Sequence, residues 1–152
     1  MPRKSAGILL YRLTGESPEV FLVHPGGPFY VRKDAGAWSI PKGEFDEGTQ
    51  AAAALREFYE ETGVRLEEPL HFLAEIKMKS GKVVYCWSKE GDLDETQLVS
   101  NLFEMEWPPR SGKMQSFPEM DRGGWFTLAA AKEKILPAQL PFLTALEQQL
   151  GT

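Results

Sequence analysis

The chain has 152 residues, 42% of them apolar and 26% charged, with a net charge of −5. That balance fits one globular domain over 1–152 with a substantial core, and it excludes a general nucleic-acid surface, which needs a basic field. The single cysteine, Cys86, excludes an internal disulfide and predicts a reducing compartment. With no leader and no membrane-length apolar run, the expectation is a cytoplasmic protein without a membrane partner.

Residues 3–12 predict a strand with a buried middle, and Gly7 inside it marks close approach by another group. A polar turn is expected over 14–18 and a second strand, paired to the first, over 19–24. His24 ends that strand; a structural role is the first expectation and a phosphate contact the alternative. The loop over 25–37 carries Phe29, Tyr30, Arg32, Lys33 and Asp34. Aromatics interleaved with cations can hold a base and steady phosphates, and packing over the sheet edge is the competing expectation.

Residues 39–64 dominate the reading. A short apolar strand end turns at Pro41 and Gly43, passes Gly48, and meets Thr49, whose hydroxyl can accept from the free amides of a starting helix. The run Ala51 to Leu55 favours a helix, and Gly63 stands where one would end in the left-handed conformation. On that helix Glu57, Glu60 and Glu61 share a face at i, i+3 and i+4. Carboxylates packed side by side repel one another and raise their own pKa values. Hard oxygen ligands at this density suit magnesium or manganese, with the bare carbonyl of Gly43 able to reach the same ion. The bland alternative is a solvated acidic face.

This stretch resembles the Nudix box: Gly, five residues, Glu, seven residues, then Arg-Glu, an apolar residue, any residue, Glu-Glu, any residue, Gly and an apolar residue. Its second half is matched without a gap by Arg56, Glu57, Phe58, Tyr59, Glu60, Glu61, Thr62, Gly63 and Val64. Its first half departs twice: Thr49 replaces the first Glu, and one residue is missing between Gly43 and Arg56. In the family that Glu helps fix the arginine and is not a principal metal ligand. The resemblance implies a mixed sheet between helices, the α/β/α sandwich of Nudix proteins. It also implies hydrolysis of a pyrophosphate linkage in a nucleoside diphosphate joined to another group, with Mg2+ or Mn2+ as cofactor. Gly43, Glu57, Glu60 and Glu61 are its implied metal ligands, and Arg56 orients them.

Past the box, 70–78 and 82–87 predict a hairpin around a Lys-Ser-Gly-Lys turn. An acidic loop over 91–96 reads as solvated surface. A strand is expected over 98–107 and a long loop over 108–121, a length that usually carries function. A last strand over 124–127 leads to a short helix from Leu128. A terminal helix after Pro137 has Leu140, Leu143, Leu146 and Leu150 as its apolar stripe. Family members commonly place an acid six positions before the tryptophan of the last strand, which here is Glu119, with Asp121 as the nearby competitor. By that resemblance Glu119 completes the metal site or acts as base; a box glutamate is the other candidate base. Lys42 in the turn is well placed for a phosphate oxygen, with Arg32, Arg110 and Lys113 as further phosphate contacts.

The Trp-Ser-Ile-Pro-Lys-Gly approach to the box resembles the dinucleoside polyphosphate hydrolase branch, whose aromatic base clamp would be Tyr85 or Tyr30. Two alternatives keep the Nudix fold: a nucleotide-binding regulator with weak turnover, and an RNA 5′-pyrophosphohydrolase. A non-nucleotide interaction module is a third. The expected partner is a small nucleotide.

Overall fold

The protein is described by a computed structural model that covers residues 3–15, 17–46 and 48–151; Glu16, in the expected turn over 14–18, lies outside them. Continuous apolar runs, buried on both faces, build two long strands, β1 (Lys4–Thr14) and β2 (Ser17–Pro25), which pair antiparallel. The short β3 (Lys42–Glu44) pairs antiparallel with the start of β1. Helix α1 (Gln50–Thr62) follows, then the hairpin of β4 (His71–Lys77) and β5 (Val83–Glu90). β5 runs parallel to β1 from Lys4↔Val83 to Tyr11↔Glu90. β6 (Leu102–Glu106) and β7 (Met114–Pro118) form a separate two-stranded sheet. β8 (Met120–Thr127) closes the main sheet against β2 and leads into α2 (Leu128–Lys134) and α3 (Leu140–Leu150). The main sheet has the order β4–β5–β1–β2–β8 and is mixed, as expected.

Strand alternation sends side chains to two cores. Ala6, Ile8, Leu10, Phe21 and Val23 meet Ala53, Ala54 and Phe58 of α1. From the opposite face Leu9, Leu22, Val84 and Cys86 meet Ala131, Phe142, Leu143 and Leu146 of α2 and α3. The layers are therefore α1, sheet, and α2 with α3. Burial pushes the Cys86 thiol well above its ordinary pKa, which leaves it as inert packing. Within the predicted stripe of α3, Leu143 and Leu146 are buried while Leu140 is 37% exposed. Among the described residues no helix is long and apolar enough to cross a membrane.

Gly7 is where the expectation of close contact is met: a Cβ there would lie 2.7 Å from both Lys42 Cβ and the Pro41 carbonyl. Two expectations are corrected. The strand predicted over 98–107 is confined to Leu102–Glu106, because the segment before it straps the end of α1. The Val99 and Asn101 amides donate to the carbonyls of Thr62 (2.9 Å) and Glu60 (3.1 Å), satisfying acceptors the helix leaves open. The loop predicted over 108–121 contains β7, whose ladder with β6 runs from Leu102↔Pro118 to Glu106↔Met114, and the start of β8. β8 is accordingly longer than the strand expected over 124–127.

Candidate active site

Thr49 caps α1 as its sequence suggests, its hydroxyl accepting from the Ala52 amide at 3.1 Å, and Gly63 ends the helix at φ 77°. The missing residue of the box is thus absorbed before the helix, and the spacing of the glutamates on α1 is intact. The helix lies along β1 and β3, so its acidic face meets the turn that holds Lys42 and Gly43.

The contact at that corner is close. A Cβ on Gly43 would fall 1.6 Å from Glu57 Oε1, so only glycine lets this carboxylate reach the strand. Beside it, the Lys42 backbone amide donates to Glu61 Oε1 at 3.1 Å. Glu57 and Glu60 stand within hydrogen-bonding reach of each other, and Arg56 Nη2 lies 3.4 Å from Glu57 Oε2. Glu119 joins them from the β7–β8 corner. Its amide donates to the Asn101 carbonyl at 2.8 Å, while the Asn101 amide is bonded to Glu60, so the strap ties Glu119 to the helix.

The electrostatics follow from this packing. Burial, with help from Glu60, raises Glu57 from 4.5 to about 7. Burial raises Glu61 to about 8 against the pull of the Lys42 amide, with Glu119 and Glu57 adding to the rise. Glu119 is raised by desolvation and then by Glu60. The Lys42 ammonium is pushed down by burial and then by Lys82. Among the described residues, no three His, Cys, Asp or Glu side chains stand ready-made at metal-ligating spacing. The donor set nevertheless fits a hard divalent cation: four carboxylates brought together, with like charges helping to raise Glu57, Glu61 and Glu119, around a position no Cβ occupies.

Lys42 also belongs to a cavity of about 180 Å3 on the other side of β3, walled by Ile76, Met78, Val84 and the Leu136–Gln139 turn. Arg56 and Glu60 border a wider hollow of about 550 Å3 along α1. The predicted residues therefore divide. Lys42, Gly43, Arg56, Glu57, Glu60, Glu61 and Glu119 converge. Tyr85 is half-buried on the α1 face of the sheet, its ring 6.4 Å from those of Phe45 and Trp87. Tyr30 and Arg32 are exposed on the loop over 25–37, where Lys33 Nζ lies 5.3 Å from the Tyr30 ring. Arg110 and Lys113 are exposed at the tip of the β6–β7 hairpin.

His24 is fully buried and held by Asp121 Oδ1 (2.9 Å) and the Lys33 carbonyl (2.6 Å), the structural role expected for it. Asp121 is thereby spoken for, while Glu119 is aimed at the cluster. Sequence reasoning missed the cavity walls and the strap at Asn101. A proline opening the turn before α3 was the one local signal for the former.

The NUDIX domain model matches residues 1–146. No protein of curated function matches the sequence. Among solved structures the fold is similar to the NUDIX domain of Shewanella oneidensis NrtR, complexed with ADP ribose. That match has 17% identity and TM-score 0.67, covering 99% of this chain and 89% of that one. It is similar to the Ap4A hydrolase of C. elegans, with 22% identity, TM-score 0.64 and 98% of each chain covered. A mutT/nudix family protein of Listeria innocua is similar at 17% identity and TM-score 0.63, covering 99% and 96%. With the family match spanning almost the whole sequence, Glu57 set against Gly43 and Glu61 on the Lys42 amide, the chain belongs to the Nudix hydrolase family.

Proposed function

We propose that the chain uses magnesium or manganese to hydrolyse a pyrophosphate linkage in a nucleoside diphosphate joined to another group, with dinucleoside polyphosphates as the favoured class. The observation that carries this reading is the corner at Gly43. Acids are gathered there with Arg56 Nη2 3.4 Å from Glu57, and two of them are held far above the ordinary carboxylate range, to about 7 and about 8. Acids arranged in this way are arranged for a cation. Glu57, Glu60, Glu61, Glu119 and the Gly43 carbonyl would hold it. A bound ion of this kind neutralises phosphate oxygens and lowers the pKa of water.

The chain's own residues do the rest. Arg56 steadies Glu57 through a charge-assisted contact. Lys42 meets a phosphate oxygen between the acids and the small cavity. Glu119, or a box glutamate, accepts the proton of the attacking water, a role suited to an acid with a raised pKa. The cavity beside Lys42 takes the nucleoside end. Tyr30 and Arg32 are left for the second moiety, since their loop is fastened to the acid's own segment by the Gly26 amide on the Glu119 carbonyl at 2.8 Å. Tyr85, packed with Phe45 and Trp87, belongs to the sheet.

The likeness to an Ap4A hydrolase supports placing dinucleoside polyphosphates first in a substrate panel. The panel should also hold ADP-ribose, oxidised deoxynucleotides and capped RNA, with products identified by mass with and without Mg2+. Metal-dependent cleavage of at least one pyrophosphate linkage is expected; no product from any of them overturns the proposal.

A further inference from the structure

We propose that the small cavity beside Lys42 takes the substrate's base by its faces and leaves its hydrogen-bonding edge unread, so that the enzyme requires a base without choosing which. This rests on the hydrolase reading above. The cavity holds about 180 Å3, below the roughly 300–1,000 Å3 of a site that encloses a drug-sized ligand whole. It suits one flat ring system. Ile76, Met78 and Val84 of the β4–β5 hairpin form one wall, and Leu136, Pro137 and Ala138 form the other.

Reading a base takes donors and acceptors matched to the pattern along its edge. The polar side chains of this lining are Lys42, Lys82 and Gln139. Gln139 is 3% exposed and turned away to the box approach: its Oε1 accepts from the Ile40 amide and its Nε2 donates to Ser39 Oγ, both at 3.0 Å. The carbonyls of Leu136 and Pro137 are taken by the amides of Gln139 and Leu140. Lys82 Nζ stands 3.7 Å from Glu44. Among the side chains, what is left is apolar surface and ammonium groups, which donate and never accept. An ammonium can donate to a ring-nitrogen or carbonyl acceptor, which all four bases carry, so without an acceptor beside it an ammonium does not match one base's pattern against the others.

The fit to a base on a phosphate chain comes from position and charge. Lys42 joins this cavity to the carboxylates, its backbone amide donating a hydrogen bond to Glu61 Oε1. On the far side the cavity runs on into an open hollow of about 750 Å3 that shares Ile76, Met78 and Ala138, so a larger ring meets solvent and no wall. Apolar pockets discriminate by about a hundredfold at most, whereas pockets that hydrogen-bond the ligand reach 10⁴–10⁵-fold.

The test is kcat/KM of the full chain with Mg2+ on dinucleoside tetraphosphates bearing adenine, guanine, cytosine or uracil. All four are expected within about a hundredfold of one another; a preference beyond that overturns the proposal. Ala138→Trp and Ile76→Trp fill the cavity from opposite walls. Each should raise KM for all four substrates by a shared factor of at least about tenfold while kcat changes little. A melting temperature near that of the parent shows that the fold survives. KM values unmoved by both variants overturn the assignment of the cavity even if turnover is robust. Cleavage of none of the panel in Proposed function would instead bring down the hydrolase reading itself.

Discussion

Two acidic regions of this molecule are built in opposite ways. At the edge formed by the loop over 25–37 and β8, every acid has a partner: Asp34 meets Lys134 and Trp38 Nε1, and Asp121 meets His24. The ammonium of Lys134 and the indole N–H hold Asp34 below its ordinary pKa, as a carboxylate used for structure should be. At the α1 corner the acids have chiefly one another, and Glu57, Glu61 and Glu119 are all raised. Burial is the larger part of the contrast: Glu61 is 6% exposed and desolvation is the first cause of its rise, with Glu119 and Glu57 adding to it. Paired acids stabilise a fold; acids desolvated and crowded against one another cost stability, which fits the cation site proposed above.

The largest effect expected from breaking this contrast is at Glu60. Glu60→Gln keeps the shape, removes one charge from the crowd, and should lower kcat/KM at least about a hundredfold, the low end of what a positioned catalytic charge contributes. The same change should leave the melting temperature level or raise it, because a repulsion is lost. Steady-state kinetics beside a thermal melt check both halves, and wild-type kinetics in the variant would reassign the corner to solvated surface. Gly43→Ala comes next. Its methyl would enter the space of Glu57 Oε1, displacing the carboxylate and costing about 1–3 kcal/mol as overpacking does. Activity should fall further than that stability loss explains when the variant is assayed below its melting point.

How much of this could be read beforehand depends on how local it was. The acids of α1 lie within five residues on one helix, so periodicity alone brings them together. The cap at Thr49 and the stop at Gly63 are decided by neighbours in sequence. The small cavity joins 76–84 to 136–139, two segments whose meeting depends on sheet order and on how α3 packs over β4, and no local pattern encodes that. β7 escaped notice because Pro108, Pro109, Ser111 and Gly112 make its approach look like loop, and its ladder to β6 is only five residues long. Glu119 was legible by its distance from Trp125, but what aims it is the backbone of Asn101, which side-chain chemistry does not reveal.

A pair of substitutions two residues apart sharpens the comparison. Glu119→Gln should lower kcat by about tenfold or more if the acid takes part in proton transfer or ion binding, with little change in melting temperature. Asp121→Asn weakens the bond to the buried His24 and should do the reverse, costing about 1–3 kcal/mol with modest loss of activity below the melting point. Equal behaviour of the two variants would erase the distinction between the paired and the unpaired acid.

The smallest effect is a pH dependence, and its sign distinguishes the two regions. Glu57 and Glu61 titrate near about 7 and about 8 in the folded chain, against an ordinary value of 4.5. Between 4.5 and 8 the folded state therefore holds more protons than the unfolded one, so the stability these groups lend is full below 4.5 and is lost as pH rises through 7 and 8. Asp34, held below its ordinary value, works the other way: its contribution is present at neutral pH and is lost only on acidification. Metal-free protein should accordingly melt lower at pH 8 than at pH 5.5, by roughly 2–4 °C for each kcal/mol lost. Mg2+ should restore most of the difference at pH 8 and little at pH 5.5, because a cation binds the ionised acids and must compete with protons for the neutral ones. Thermal melts at the two pH values, with and without Mg2+, measure this directly, and a metal effect independent of pH would detach the ion from these carboxylates.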